Sequence, residues 1–333
     1  MIFLANKIIP TFFCWLFFLF LADKSVSPNA GVHDPFSETS HVSESKDLQG
    51  YRDIVLFKDK VIAVGTDGRI DCISKSGEKI SVDSFCVYNL HCAFSNEELL
   101  IAAGDHGTIL FSSDGRNFHR AESGTEKNIH GIASKNGLLV AGADRGTLLS
   151  SKNGISWNKI QTAIKGNIVS ISSNNSFFIA VSDSGEIMKS IDGTVWKIQD
   201  YNKEYVGYNK YSTFKKVLAA QNSIVIIGTT DDGLPSILFS SLGTVWTERI
   251  PIYQDSQGVV TCLTSMPNGI TYDSDRDQFI LACDHGELLS LPPCSKCNKY
   301  VKISETDLHG IIYFDNRLLI AGDGYSVFIQ RFQ

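Results

Sequence analysis

Acid-glycine corners recur along this 333-residue chain, and three of them set a second chemically able side chain beside the acid: Asp105-His106, Asp144-Arg145 and Asp284-His285. Asp67, Asp183 and Asp323 stand in corresponding corners. Carboxylates and imidazoles gathered around one opening could hold a cation or a polar ligand. The same residues also serve a plain turn, where Asp hydrogen-bonds the backbone and Gly supplies positive φ. Both readings stand for these nine side chains. His91, His130 and His309 open three of the repeats described below, but in copies that are not mutually adjacent, so no metal site is expected. No cofactor is expected either. A Cys-x-x-Cys pair, Cys294 and Cys297, interrupts one repeat. No second pair exists to complete a four-sulfur zinc site. A local disulfide is expected there, with free or redox-active thiols as the alternative. A Ser-His-Asp order, a phosphate-cradling Gly-rich loop and an HExxH helix are all missing from the sequence.

The corners must be held by something regular, and the sequence supplies it. Residues 130–163 read as four short apolar strands joined by Lys-Asn-Gly and Asp-Arg-Gly turns, the signature of tight hairpins. The unit recurs, with corner glycines at Gly68, Gly107, Gly146, Gly185, Gly233, Gly286 and Gly324. A period near 40 residues with a twofold strand pattern and no helical one predicts an all-β fold. We expect a seven-bladed β-propeller of four-stranded antiparallel blades over residues 51–333. The last copy stops after its third strand, so residues near 34–42 are expected to supply the fourth and close the ring.

Ahead of the ring, residues 26–50 read as a linker and closing strand. Residues 1–25 read as a signal peptide or signal anchor, because Lys7 precedes a 15-residue apolar run, residues 8–22. The cleavage site is poor, which keeps an uncleaved anchor open, and Cys14 lacks the small residues a lipidation signal needs. An exported location follows from this reading: periplasmic, lumenal or extracellular. Seven cysteines remain beyond the leader, an odd number that forbids complete internal pairing. Net charge is -6 and the 30 basic residues are scattered, so nucleic acid is not an expected partner.

A second motif lies between third and fourth strands: Ser112-Ser113-Asp114-Gly115-Arg116-Asn117-Phe118, Ser151 to Trp157, Ser190 to Trp196, and Ser240 to Trp246 with Leu242 in the acid's place. It resembles a short form of the Asp-box, or bacterial neuraminidase repeat, whose Ser and Asp satisfy the hairpin backbone while the aromatic packs between sheets. Together the repeats look like the Asp-box propellers that include sialidases and, nearest in layout, the photosystem II stability and assembly factor-like propellers. That resemblance implies an exported, non-catalytic protein-binding scaffold. The alternative it leaves is a carbohydrate-binding protein or a divergent sialidase-like glycoside hydrolase. Against hydrolysis, no first strand is expected to begin with an arginine at the channel, and Arg249-Ile250-Pro251 falls after a box rather than before one.

Two insertions break the period. One carries Tyr201, Tyr205, Tyr208 and Tyr211, and the other, over residues 252–269, carries Tyr253. Tyrosine-rich loops on a rigid ring bring contact area and a hydrogen bond at small entropic cost. These five tyrosines are expected to meet a protein partner.

Overall fold

The computed structural model describes residues 38–42, 49–74, 77–199, 213–249, 251–254, 258–292 and 298–331. Seven four-stranded antiparallel sheets form a seven-bladed β-propeller. Blade 1 is built from Tyr51–Phe57, Lys60–Gly65, Ile70–Ile73 and Lys79–Val82, each strand pairing with the next. Blades 2 to 6 repeat that order, their first strands being Leu90–Ser95, Ile129–Lys135, Ile168–Ser173, Thr213–Ala219 and Pro267–Asp273. Blade 7 takes three strands from the C-terminus, Leu308–Phe314, Arg317–Gly322 and Ser326–Arg331. Its fourth is Glu38–Val42, antiparallel to the third, with Glu38 opposite Arg331 and Val42 opposite Val327. The ring is therefore closed by an N-terminal strand, as the truncated last repeat requires.

Second strands carry the core because both of their faces are covered. All five residues of Leu100–Gly104 are buried, as are all five of Phe178–Ser182. Such strands read as continuous apolar runs rather than alternating ones, since each sheet packs on a sheet at either side. First strands are innermost and pack on one another: Gly131 lies against Ile171 of the next blade, and Gly310 against Ile54 across the closure. Cys92 and Cys283 are small buried members of these seams, and burial pushes both thiols up. Cys72, Cys86, Cys92, Cys262 and Cys283 are free. Cys294 and Cys297 lie outside the described residues.

Chain direction gives the ring two distinct faces. One carries the turns between second and third strands together with the connections between blades. The other carries the hairpins between third and fourth strands. On this hairpin face Ser112 Oγ accepts the Gly115 N–H at 2.9 Å, and Asp114 Oδ1 accepts the N–H groups of Arg116 and Asn117, both at 2.8 Å. Asn153 and Asp192 do the same in blades 3 and 4. Backbone N–H donors hold the Asp114 and Asp192 carboxyls well below the usual carboxylate range. In blade 5 Gly243 still donates to Ser240, but Leu242 has no oxygen to offer the next two amides. Phe118, Trp157 and Trp246 of this motif are buried beneath their hairpins.

Candidate functional site

The face carrying turns and interblade connections surrounds the channel mouth, and one irregularity recurs there in every blade. Each first strand slips register against its second between Tyr51 and Asp53, Leu90 and Cys92, Ile129 and Gly131, Ile168 and Ser170, Phe214 and Lys216, Pro267 and Gly269, or Leu308 and Gly310. The skipped residues are Arg52, His91, His130, Val169, Lys215, Asn268 and His309. A bulge releases one residue from the ladder and re-aims its side chain. Seven equivalent backbones thus set one residue each at the mouth end of a first strand; Val169 packs against the core between blades 4 and 5, and five of the other six can carry positive charge.

The corner acids face this ring. His91 Nε2 meets Asp105 Oδ1 at 2.6 Å, and His130 Nε2 meets Asp144 Oδ1 at 2.6 Å. The His91 and His130 rings lie 5.4 Å apart between adjacent blades, each held on its own acid. His309 Nε2 and Arg52 Nη1 both reach Asp323 Oδ1, at 2.9 and 3.0 Å, across the closure. Lys215 Nζ donates to Asn268 Oδ1 at 2.7 Å, and Asn268 Nδ2 donates to Asp284 Oδ1 at 2.5 Å. Arg52 corrects the expectation that no first strand begins with an arginine. It is also the one arginine among the seven bulge positions.

Acid and asparagine together run a relay around the mouth. Asn89 Oδ1 accepts from Asp67 N in blade 1 while its Nδ2 donates to Asp105 in blade 2, both at 3.0 Å. Asn167 repeats this between Arg145 N at 3.0 Å and Asp183 at 2.8 Å. Asp105, Asp144 and Asp284 are therefore half-buried and partnered, and the turn explanation accounts for much of their presence. The next residue of each corner takes a positive φ and is exposed: His106, Arg145 and His285. Register also shows that Thr66, not Asp67, occupies the acid's position in blade 1, since Asp67 has the φ of 54° that belongs to His106.

Two further features lie in the connections between blades. In the first interblade connection Phe85 is 86% exposed at φ 51°, where the next connection has Gly124 at φ 68°. A left-handed aromatic costs about 1–2 kcal/mol, yet the side chain gains no burial. Val87 beside it is also exposed, and the Tyr88 ring meets the His106 ring at 4.6 Å, tilted by 44°. The second insertion forms a hairpin, Ile252–Gln254 with Val260–Cys262. Tyr253 lies at its root rather than its tip, stacked on Tyr300 of blade 6 at 4.1 Å and packed into the seam between blades 5 and 6. Tyr201, Tyr205, Tyr208 and Tyr211 lie outside the described residues. Arg249 stacks over Phe239 and donates to the Pro292 carbonyl, so its role is on the outer strand.

Arg52, Lys215 and Asn268 were legible but easily missed. Each bulge residue stands 14 positions before the acid's position (16 in blade 6, whose first hairpin is longer), so the spacing marks all seven once the register is known. Burial alone would raise the Asp323 carboxyl, but the hydrogen bond and charge of His309 and the charge of Arg52 outweigh it and hold that acid below its ordinary value. A depressed carboxylate contributes stability above its unfolded pKa and loses it as pH falls through its folded pKa. Asp323→Asn is therefore expected to lower the melting temperature at neutral pH. The gap to the parent protein should close as pH falls below the carboxylate range; a gap that is constant with pH would refute this.

Neither a protein-family model nor a curated protein matches the sequence. Solved structures do match in fold. YCF48 bound to a D1 peptide superposes with a TM-score of 0.67 at 13% identity, covering 91% of this chain and 96% of that one. YCF48 from Cyanidioschyzon merolae gives 0.64 at 14%, covering 88% and 98%. The WD40 β-propeller domain of Doa1 gives 0.64 at 15%, covering 88% and 97%. What these likenesses establish for this chain is the β-propeller fold itself.

Proposed function

We propose that this chain is an exported, non-catalytic scaffold that holds another polypeptide at the channel mouth, in the manner of the assembly-factor-like propellers its Asp-box-like hairpins resemble. The observation that carries the reading is the bulge ring. Its backbone repeats seven times while its side chains do not, as expected of a rigid frame presenting an individual pattern of charge and hydrogen-bond donors. Phe85 and Val87 add an apolar anchor on the same face, where a strained and exposed aromatic is otherwise a cost. A fold relative, YCF48, has been seen with a peptide bound, which fits the class of partner.

The test is affinity capture from the native source with the parent protein and a Phe85→Gly/Lys215→Ala variant. Neither change removes a buried group, and glycine relieves the strain at position 85. Recovery of the partner is expected to fall at least about tenfold, equivalent to about 1.4 kcal/mol. Undiminished recovery would remove the mouth as the binding site.

A further inference from the structure

Asparagine followed by glycine occurs three times in the chain, at Asn136-Gly137, Asn153-Gly154 and Asn268-Gly269. The pair is chemically labile, because a glycine nitrogen has no neighbouring side chain to hinder its attack on the preceding amide carbon. The fold sets the three pairs in very different surroundings. Asn268 belongs to the bulge ring: its Oδ1 accepts from Lys215 Nζ at 2.7 Å, and its Nδ2 donates to Asp284 Oδ1 at 2.5 Å and to the Leu308 carbonyl at 3.2 Å. Gly269 behind it is buried, and a Cβ built there would lie 2.4 Å from the His309 carbonyl oxygen. Asn153 stands in the acid's place in the blade 3 hairpin. Its Oδ1 accepts from Ile155 N, Ser156 N and Ser151 Oγ at 2.9, 3.1 and 3.1 Å. The Gly154 N–H, the group that would attack, donates to Ser151 Oγ at 2.9 Å.

Asn136-Gly137 has none of this shielding. The pair is the two-residue tip between the first and second strands of blade 3, with Lys135 opposite Leu138 and both tip residues left-handed, at φ 52° and 76°. Such a turn selects Asn-Gly for its backbone alone. Both residues are exposed, and no hydrogen bond ties the Asn136 amide or the Gly137 N–H to another described residue. A Cβ built on Gly137 would meet nothing within 4 Å. We propose that Asn136 is a site of spontaneous conversion to aspartate and isoaspartate in the folded protein, while the fold protects the other two asparagines. In the first step Gly137 N bonds to Asn136 Cγ, the Cγ–Nδ2 bond breaks, and ammonia leaves with the proton that Gly137 N gives up. Water then opens the five-membered imide at either of its two carbonyls. One opening leaves aspartate; the other routes the main chain through the side chain and adds a methylene to a turn built for two residues. Either product sets a new carboxylate beside Lys135, whose amine reaches the Ile191 carbonyl on the hairpin face. The sites differ in what must be released before reaction. Asn136 needs only a movement of the hairpin tip, whereas Asn153 and Gly154 must first give up their hydrogen bonds to the blade 3 turn.

The test ages the full chain in warm, mildly alkaline buffer, folded or in denaturant, and maps its peptides by mass spectrometry, where each conversion makes a peptide about one mass unit heavier. In the folded protein Asn136 is expected to convert at least about tenfold faster than Asn153 or Asn268. In denaturant the three should convert at comparable rates, because only the fold separates them. Asn153 or Asn268 keeping pace with Asn136 in the folded chain would overturn the inference. So would an Asn136 that converts in denaturant and stays intact in the fold. Aged folded protein should also accept a methyl group from S-adenosylmethionine through a carboxyl methyltransferase specific for isoaspartate. Asn136→Gly keeps a pair that forms this turn and should lose most of that methylation; methylation at the parent's level would place the isoaspartate elsewhere and refute the assignment. Ser151→Ala takes the acceptor from the Gly154 N–H and is expected to speed conversion at Asn153 several-fold, with an unchanged rate counting against the shielding.

Discussion

Excising Glu38–Val42 from the full chain is expected to open the ring. Those five residues are the outer strand of blade 7, and without them Ser326–Arg331 becomes an unpaired edge. Net hydrogen bonds are worth about 1 kcal/mol each, so losing four or five costs about 4 kcal/mol, a large part of the typical margin of about 5–15 kcal/mol. An exposed edge also recruits other edges. The expected result is a melting temperature lower by several degrees, together with concentration-dependent association in sedimentation. Excising five residues from the lead-in at 26–30 should do neither. Equal behaviour of the two deletions would show that the ring closes some other way.

The second large effect is expected in blade 1. Asp71 is fully buried, and its carboxylate accepts from the Tyr51 hydroxyl and from Arg69 Nε at 2.9 and 2.8 Å. Burial works against the charge of Arg69, but Asp71's hydrogen bond and charge overcome it and hold the guanidinium above its ordinary value. The same guanidinium lies 5.2 Å over the Tyr325 ring, which meets Tyr51 edge-on at 5.2 Å. Blade 7 is thus fastened to blade 1 through one buried acid. Arg69→Met keeps the packing and leaves that acid without its cation. Removing one partner of a buried pair costs about 3–5 kcal/mol, and partial exposure of Arg69 places the expectation near the lower end. Adding Asp71→Leu should recover much of the loss, because the isolated charge goes with it. A double variant no more stable than the single one, by chemical denaturation, would contradict this account of the seam.

The repeat made the fold readable, and the places where reading stopped have physical causes. Strand count, blade count and closure follow from apolar periodicity and from the missing fourth strand at the C-terminus. The bulge ring was harder, because a bulge leaves no residue signature of its own: Val169, Lys215 and Asn268 share a position but no chemistry. Longer turns in blades 5 and 6 also shift the count that aligns them. Tyr253 looked like a loop tyrosine because its segment breaks the period, yet the hairpin it opens is seated on blade 6 and its ring fills a seam. Asp105 and Asp144 were readable as turn acids; their pairing with His91 and His130 depends on strands 14 residues apart in sequence meeting at one register. Phe85 carried no signal beyond its type, since its exposure and positive φ are properties of the fold.

The account rests on the channel-mouth face as the place where a polypeptide is held, and hydrogen exchange on the captured complex tests that most directly. Binding should slow exchange in the interblade connections at residues 83–89 and 122–128 and at the first-strand bulges, while the hairpins at 112–118 and 151–157 exchange as in the free protein. Protection confined to the hairpin face, with the mouth unchanged, would contradict it.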